Sequence, residues 1–328
     1  MTVEHLVVVG ASLAGLRAVE SARATGWTGR ITMIGAEPHL PYDRPPLSKA
    51  ALGSGAAEMS PFRTETELRD DLGVDLVLGA AATGLDPEAR TVTVDDRQIG
   101  YDALVVATGA TPRMLPGSEG LAGVQALRSR DDARAIRGAL DQGARVVVVG
   151  AGFIGAEVAS AARARDLPVT VVEQADVPLV RSLGVAPGEA CADLHRSAGT
   201  DLRLGVGVVG LTTESGAVRG VRLDDGTTIP ADLVVVGIGV EPATGWLAGS
   251  GMRLHERDAG VMCDATLATS LPRVWAAGDL VHLPFELFDG DLMRLEHWTN
   301  AAEHGALAAR NAIGEGPAER HRAIPYFW

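Results

Sequence analysis

Two glycine-rich stretches carry the residues best able to do chemistry: "GASLAG" at 10–15 and "GAGFIG" at 150–155. Each ends an apolar, β-branched run and opens a helical pattern. In that setting glycines allow a tight turn, a close approach of the backbone to a pyrophosphate, and tight packing of the helix on the strand. The helix N-terminus then attracts the phosphate charge. Gly10 and Gly15 in the first stretch, and Gly150, Gly152 and Gly155 in the second, are candidate cradles for two dinucleotides. Ser12 stands where the first stretch would carry its middle glycine, and serine is small enough to leave room for a pyrophosphate. A carboxylate about 20 positions further on is expected to accept hydrogen bonds from the ribose. Glu37 lies 22 residues after Gly15, and Glu173 lies 18 after Gly155. A carboxylate at 173 repels a 2′-phosphate, and the next residue is Gln174 rather than a basic one, so NADH is favoured over NADPH at the second cradle.

The elements that must position these residues repeat. "LVVVG" leads into "LAGLRAVESARAT" and then "ITMIG"; "VVVVG" leads into "FIGAEVASAARAR" and then "VTVVE". That is the strand, turn, helix, strand order of a dinucleotide-binding unit, and this context strengthens an otherwise weak glycine motif. The repeat continues: "IGYDALVVATGATP" (99–112) and "IPADLVVVGIGVEP" (229–242) align without a gap, matching Asp102 with Asp232 and Gly109 with Gly239. Short alternating segments around an Asp-Asp turn precede both, as antiparallel hairpins do. A third stretch, "RVWAAGDL" (273–280), and a helix expected from about His297 to Ile313 have no counterpart in the second half and are expected to rejoin the first.

With 328 residues and 46% hydrophobic content, the chain is long enough for two packed domains. No apolar run approaches the roughly 20 residues needed to cross a bilayer, and the short "HLVVVG" start does not read as a targeting signal, so a cytoplasmic protein is expected. The net charge of −13 argues against polyanionic partners such as nucleic acid or an anionic membrane. Cys191 and Cys263 are far apart, form no CxxC pair and belong to no Cys/His cluster at metal-ligand spacing, so they read as ordinary thiols and no metal site is expected.

The two glycine motifs, together with "PYDRPPLSK" (41–49), "ATGATPR" (107–113), "VWAAGD" (274–279) and "EHWTNA" (296–301), resemble the FAD-dependent, NADH-dependent ferredoxin reductases of bacterial oxygenase and cytochrome P450 systems. Rubredoxin reductases and apoptosis-inducing-factor-like flavoproteins are relatives. The resemblance implies an α/β fold of the glutathione-reductase-like type: two Rossmann-like dinucleotide-binding domains, for FAD and NAD, each with a small antiparallel β-meander. The FAD domain would be discontinuous, 1–115 and 245–328, with the NAD domain at 116–244. It implies that Gly10, Ser12, Ala14, Gly15 and Glu37 hold the adenosine half of FAD, with Thr108 and Gly109 in a neighbouring loop. Arg44 and Lys49 would approach the flavin ring system, Arg128 would contact FAD, Asp279 would bond the ribityl chain, and Trp298 would lie beside the ring. Gly150, Gly152, Gly155 and Glu173 would bind NADH, with Glu157 near the nicotinamide and paired with Lys49. Taken alone, several of these residues have plainer readings: Lys49 as a solvated lysine opening a helix, Asp279 as a helix N-cap, Glu157 as an acid in a first helical turn, and Trp298 as core.

Hydride transfer between stacked nicotinamide and flavin rings is the chemistry implied, with Lys49 stabilising negative charge on the reduced flavin. Disulfide reductases of this architecture need a cysteine pair beside the flavin and the peroxidases need one cysteine; here the corresponding segment reads "PPLSK". Electrons must therefore leave for an outside acceptor, which the resemblance implies is a [2Fe-2S] ferredoxin feeding an oxygenase or cytochrome P450. An acidic reductase then needs a local basic patch to attract an acidic partner, with Arg310, Arg320 and Arg322 as candidates. The alternatives are an NADH oxidase or small-acceptor reductase, and a slow-turnover redox-sensing protein that binds FAD and NADH. The chain ends "IPYFW"; in the family a similar "YFW" opens a further C-terminal domain, so a truncated chain is expected.

Overall fold

The computed structural model describes residues 2–55, 59–314 and 316–322. The "IPYFW" end lies outside them. The chain divides into two compact units, Met1–Asp43 with Ser60–Thr111 and Glu241–Trp328, and Arg44–Met59 with Pro112–Val240.

The first unit is built on a five-stranded parallel sheet in the order Val274–Ala276, Ala103–Val106, His5–Val9, Arg30–Gly35, Val74–Leu78. Its strands read as continuous apolar runs because both faces are covered, and Leu6, Val7, Val8, Leu104 and Val105 are fully buried. The helices Leu13–Ala24 and Trp298–Ile313 pack together at Gly305, where a Cβ would lie 2.0 Å from the Ala14 carbonyl oxygen. The "RVWAAGDL" strand thus occupies an edge of the first sheet. The strands Ala82–Asp86, Thr91–Val94 and Arg97–Gly100 form the meander, with Asp95–Asp96 at its turn. A second small sheet joins Val261–Met262, Val281–Phe285 and Asp291–Arg294.

The second unit repeats the plan. Its parallel sheet runs Asp201–Leu204, Val169–Glu173, Val146–Val149, Leu233–Val236, Val124–Gln125. The helix Phe153–Arg163 follows the glycine turn, and Val208–Glu214, Ala217–Leu223 and Thr228–Pro230 make the meander. The matched aspartates of the repeat are structural. Asp102 Oδ2 accepts from the amides of Glu4 and His5, and Asp232 Oδ2 accepts from the Arg145 amide, so each ties the return strand to the start of the central one. The segment Arg44–Met59 groups with this second unit.

Candidate functional site

The two glycine turns share their geometry. Gly10 N–H donates to Ile34 O and Gly150 N–H to Val172 O, hooking each turn onto the second strand of its unit. Both glycines have φ in the left-handed region, 124° and 103°, and a Cβ there would stand 2.0 Å from the Ala107 carbonyl oxygen or 2.3 Å from that of Gly237. At Gly15 and Gly155 a Cβ would meet the carbonyl oxygen of the first glycine of the same turn, at 1.8 and 2.2 Å. These four glycines are what let the helix seat on its strand. Gly152 differs: a Cβ there meets nothing within 4 Å, so its smallness serves space outside the protein. That is the room a pyrophosphate needs, and the backbone at Gly152 and Ser12 is extended at a helix N-cap in both units. The residues present therefore fit two dinucleotides. Ala14 is buried under Gly305 and close to Gly278.

The acidic residues behave differently from each other. Glu173, the last residue of its strand, accepts from Ala151 N–H at 2.8 Å and from Ala175 N–H at 2.9 Å, one through each oxygen. It clamps the glycine turn as well as standing at its edge. Glu37 lies two residues past the end of its strand and accepts from the buried Tyr42 hydroxyl at 2.5 Å. In the "ATG" loop, Thr108 Oγ1 donates to Ala243 O at 2.7 Å and Gly109 O accepts from Ala243 N at 2.9 Å.

Two long-range contacts organise the remaining residues. In the first unit Trp298 Nε1 donates to Asp43 Oδ1 at 2.8 Å, joining "PYDRPPLSK" to "EHWTNA" across 255 residues. Trp298 is partly exposed and opens the last helix, with His297 as N-cap, so the plain core reading is set aside. In the second unit both oxygens of Glu157 are taken by one dipeptide: Lys49 Nζ lies 2.9 Å from Oε1, and the buried Ser48 hydroxyl donates to Oε2. Ser48 is a residue the sequence reading passed over. Lys49 stands between two 3-10 turns, Pro45–Ser48 and Ala50–Leu52, and opens no α-helix. Glu157 lies beyond the first turn of Phe153–Arg163 rather than in it. Arg44 donates to the Arg128 carbonyl, and Arg128 N–H donates to Asp132 Oδ2 at 3.0 Å. Arg128 precedes a capping box formed by Ser129 and Asp132, which the "SRDD" spacing could have announced. Asp279 is no N-cap either, since the strand Val281–Phe285 follows it.

Cys191 and Cys263 are both free, and burial pushes the Cys263 thiol up, away from the reactive thiolate. Of the proposed docking arginines, Arg310 is bonded to Glu319 and Ser21, and Arg320 pairs with Glu286 at 3.2 Å; Arg322 is exposed.

This twofold dinucleotide architecture has a match. A profile of the pyridine nucleotide-disulphide oxidoreductases covers residues 4–305. The chain belongs to that family. It is 36% identical over 329 residues to the ferredoxin–NAD(+) reductase component of the p-cumate 2,3-dioxygenase system of Pseudomonas putida, covering 99% of this chain and 78% of that one. It is 38% identical to the ferredoxin reductase component of chlorobenzene dioxygenase from Cupriavidus sp. (strain PS12), covering 99% of this chain and 77% of that one. In structure it is similar to the reductase of the covalent putidaredoxin reductase–putidaredoxin complex, with a TM-score of 0.91 at 34% identity over 99% of this chain and 78% of that one. Despite the family's title, the two free cysteines here form no disulfide.

Proposed function

We propose that the chain is an NADH-dependent, FAD-containing ferredoxin reductase that passes electrons singly to a [2Fe-2S] ferredoxin serving an oxygenase or cytochrome P450. The observation that carries this reading is the pair of built dinucleotide cradles in a chain without a thiol pair: electrons have two places to be received and no internal sulfur to go to. FAD, when bound, supplies the chemistry, since it accepts a hydride and releases electrons one at a time. On the first unit, Gly10, Ser12, Ala14, Gly15, Glu37, Thr108, Gly109, Asp279 and Trp298 are the residues we assign to it. Arg44, Lys49 and Arg128 are further residues we assign to FAD. In the second unit the Glu157 carboxylate fixes the Lys49 ammonium, and the Arg128 carbonyl fixes Arg44. NADH is assigned to Gly150, Gly152, Gly155 and Glu173, with Glu157 toward its nicotinamide. The FAD domain is then 1–115 with 245–328 and the NAD domain 116–244, apart from the Arg44–Met59 segment, which packs with the NAD unit.

Arg310 and Arg320 are each paired with an acid, which weakens them as a basic patch, and Arg322 is the third, exposed candidate. No described helix is long and apolar enough to cross a membrane. The reading places the protein in the cytoplasm, where NADH is generated and where two free thiols stay reduced. Anaerobic stopped-flow mixing of the yellow protein with NADH and NADPH, followed by a [2Fe-2S] ferredoxin, tests the proposal. The expected result is fast bleaching by NADH, slow bleaching by NADPH and rapid reoxidation by the ferredoxin. Reoxidation by oxygen alone would turn the reading to an NADH oxidase, and a long-lived NADH-reduced complex to a redox sensor.

A further inference from the structure

One arginine in the first unit collects three hydrogen bonds from separate parts of the chain. Arg294, at the end of the Asp291–Arg294 strand, donates from Nε to Asp258 Oδ2 at 2.8 Å. From Nη1 it donates to the Asp279 carbonyl at 2.9 Å and to Glu296 Oε1 at 2.7 Å. Its side chain is only 13% exposed, so these charge-assisted bonds are worth more than surface ion pairs.

Asp258 is itself anchored. It accepts from the Gly260 amide at 3.1 Å and bonds His282 Nε2 at 3.0 Å, and the His255 ring stacks on His282 with centroids 4.1 Å apart. Burial opposes the charge on Asp258, but the Gly260 amide, Arg294 and His282 outweigh it and hold the carboxyl at about 2. His255, Asp258 and His282 have the composition of a cation site. Arg294 already brings a positive charge onto that carboxylate, so the group is better read as the foot of an arginine clamp.

The clamp grips two segments that matter. The Asp279 carbonyl belongs to a turn whose preceding residue, Gly278, has φ 86°, and whose Ala277 amide is tied to Val106 in the sheet. Glu296 begins "EHWTNA", whose Trp298 bonds Asp43. We infer that Arg294, anchored on Asp258, is a positioning residue for the FAD site, setting the Asp279 turn and the Glu296–Trp298 segment in register with each other. The inference rests on the assignment of Asp279 and Trp298 to FAD made above. Lysine cannot take the place of this arginine, because an ammonium on a flexible stem does not span three acceptors as a planar fork does.

The test follows FAD release from the holoprotein on serial dilution, by recovery of flavin fluorescence, in the native protein, Arg294→Met, Arg294→Lys, Asp258→Asn, Asp279→Asn and Leu283→Ala. Leu283 is fully buried in the same small sheet and touches none of the three bonds, so it controls for lost stability alone. Arg294→Met is expected to raise the FAD dissociation constant about 10-fold, the scale of one lost charge-assisted bond. It should also shift the visible flavin bands. Arg294→Lys should recover little of the loss, and Asp258→Asn should fall between native and Arg294→Met. Leu283→Ala should stay within about 2-fold of native at a similar drop in Tm. The proposal is overturned if Arg294→Met releases FAD no faster than Leu283→Ala. It also falls if Asp279→Asn leaves release unchanged, since the clamp would then hold nothing of use. A native protein that carries no FAD at all refutes the functional reading itself, which is a separate and recognisable outcome.

Discussion

Glu173 has one role visible in the hydrogen bonds and another assigned from its position, and Glu173→Gln separates them. The carboxylate accepts one backbone amide on each oxygen, at 2.8 and 2.9 Å. Glutamine keeps one accepting oxygen and turns an NH2 toward the other amide, so one bond is lost and the other is no longer charge-assisted. The residue is half-buried, which places the cost near the lower end of the usual range, about 1.5–2 kcal/mol. At about 2–4 °C per kcal/mol, Tm should fall by about 3–8 °C. Coenzyme selection is a separate effect. Losing an anionic acceptor for the ribose should lower kcat/KM for NADH about 10-fold, and losing a like charge near a 2′-phosphate should raise it for NADPH by roughly the same factor. The NADH to NADPH preference should therefore fall about 100-fold. Initial rates with a dye acceptor, alongside a thermal melt, measure both. A preference that stays within 2-fold of native while Tm drops would refute the selection argument and leave Glu173 as a clamp on the turn.

Three further outcomes are expected. Gly155→Ala, whose Cβ would sit 2.2 Å from the Gly150 carbonyl oxygen, should cost about 1–3 kcal/mol and several degrees of Tm. Gly152→Ala meets no protein atom within 4 Å, so its cost is only that of a poorer helix N-cap, about 0.5–1 kcal/mol, and Tm should fall by about 1–4 °C. Trp298→Phe removes the indole donor to Asp43, and absorbance of the bound flavin should shift while the parallel-sheet core, read by far-UV circular dichroism, does not. His304 is fully buried, and burial followed by the neighbouring His321 lowers its pKa to about 3. Its folded pKa thus lies below the unfolded value, so the stability it contributes is whole above pH 6.5 and is lost as pH falls from about 6.5 to about 3. The slope is about 1.4 kcal/mol per pH unit. His304→Leu should flatten the Tm profile over that window, and a profile as steep as native would refute the assignment.

The sheets, the glycine turns and both meanders were legible in the sequence because their causes are local. β-branched runs, glycine spacing and Asp-Asp turns act within a dozen residues. Where local cues misled, a distant partner or neighbouring element had decided the outcome. Asp279 looks like a helix cap because Gly-Asp after a strand usually is one, yet the next residues pair with Asp291–Arg294 and continue as a strand. Lys49 follows two prolines that suit a helix start, yet Glu157, more than a hundred residues on, fixes its ammonium while the chain stays in tight turns. Arg44–Met59 sits within the first half of the sequence but packs with the second unit, through Arg44 on the Arg128 carbonyl and Ser48 on Glu157.

The same distinction explains why the two carboxylates at equivalent places in the repeat have diverged. Periodicity gives Glu37 and Glu173 one job, the ribose end of a dinucleotide. Glu173 ends its strand and reaches back to the Ala151 amide, so it is part of its glycine turn. Glu37 lies beyond its strand, and the Tyr42 hydroxyl engages it instead, in the segment that runs on through Asp43 to the Trp298 indole. A substitution at Glu37 should therefore disturb the Tyr42–Asp43–Trp298 end of the first unit as well as the ribose contact, whereas one at Glu173 should stay confined to its own turn. Comparing Glu37→Gln with Glu173→Gln by tryptophan fluorescence, each measured with Trp298 present and as Trp298→Phe so that the difference isolates Trp298 among the five tryptophans, makes that visible. A Trp298 signal that moves equally in both would mean that the two turns are not independent.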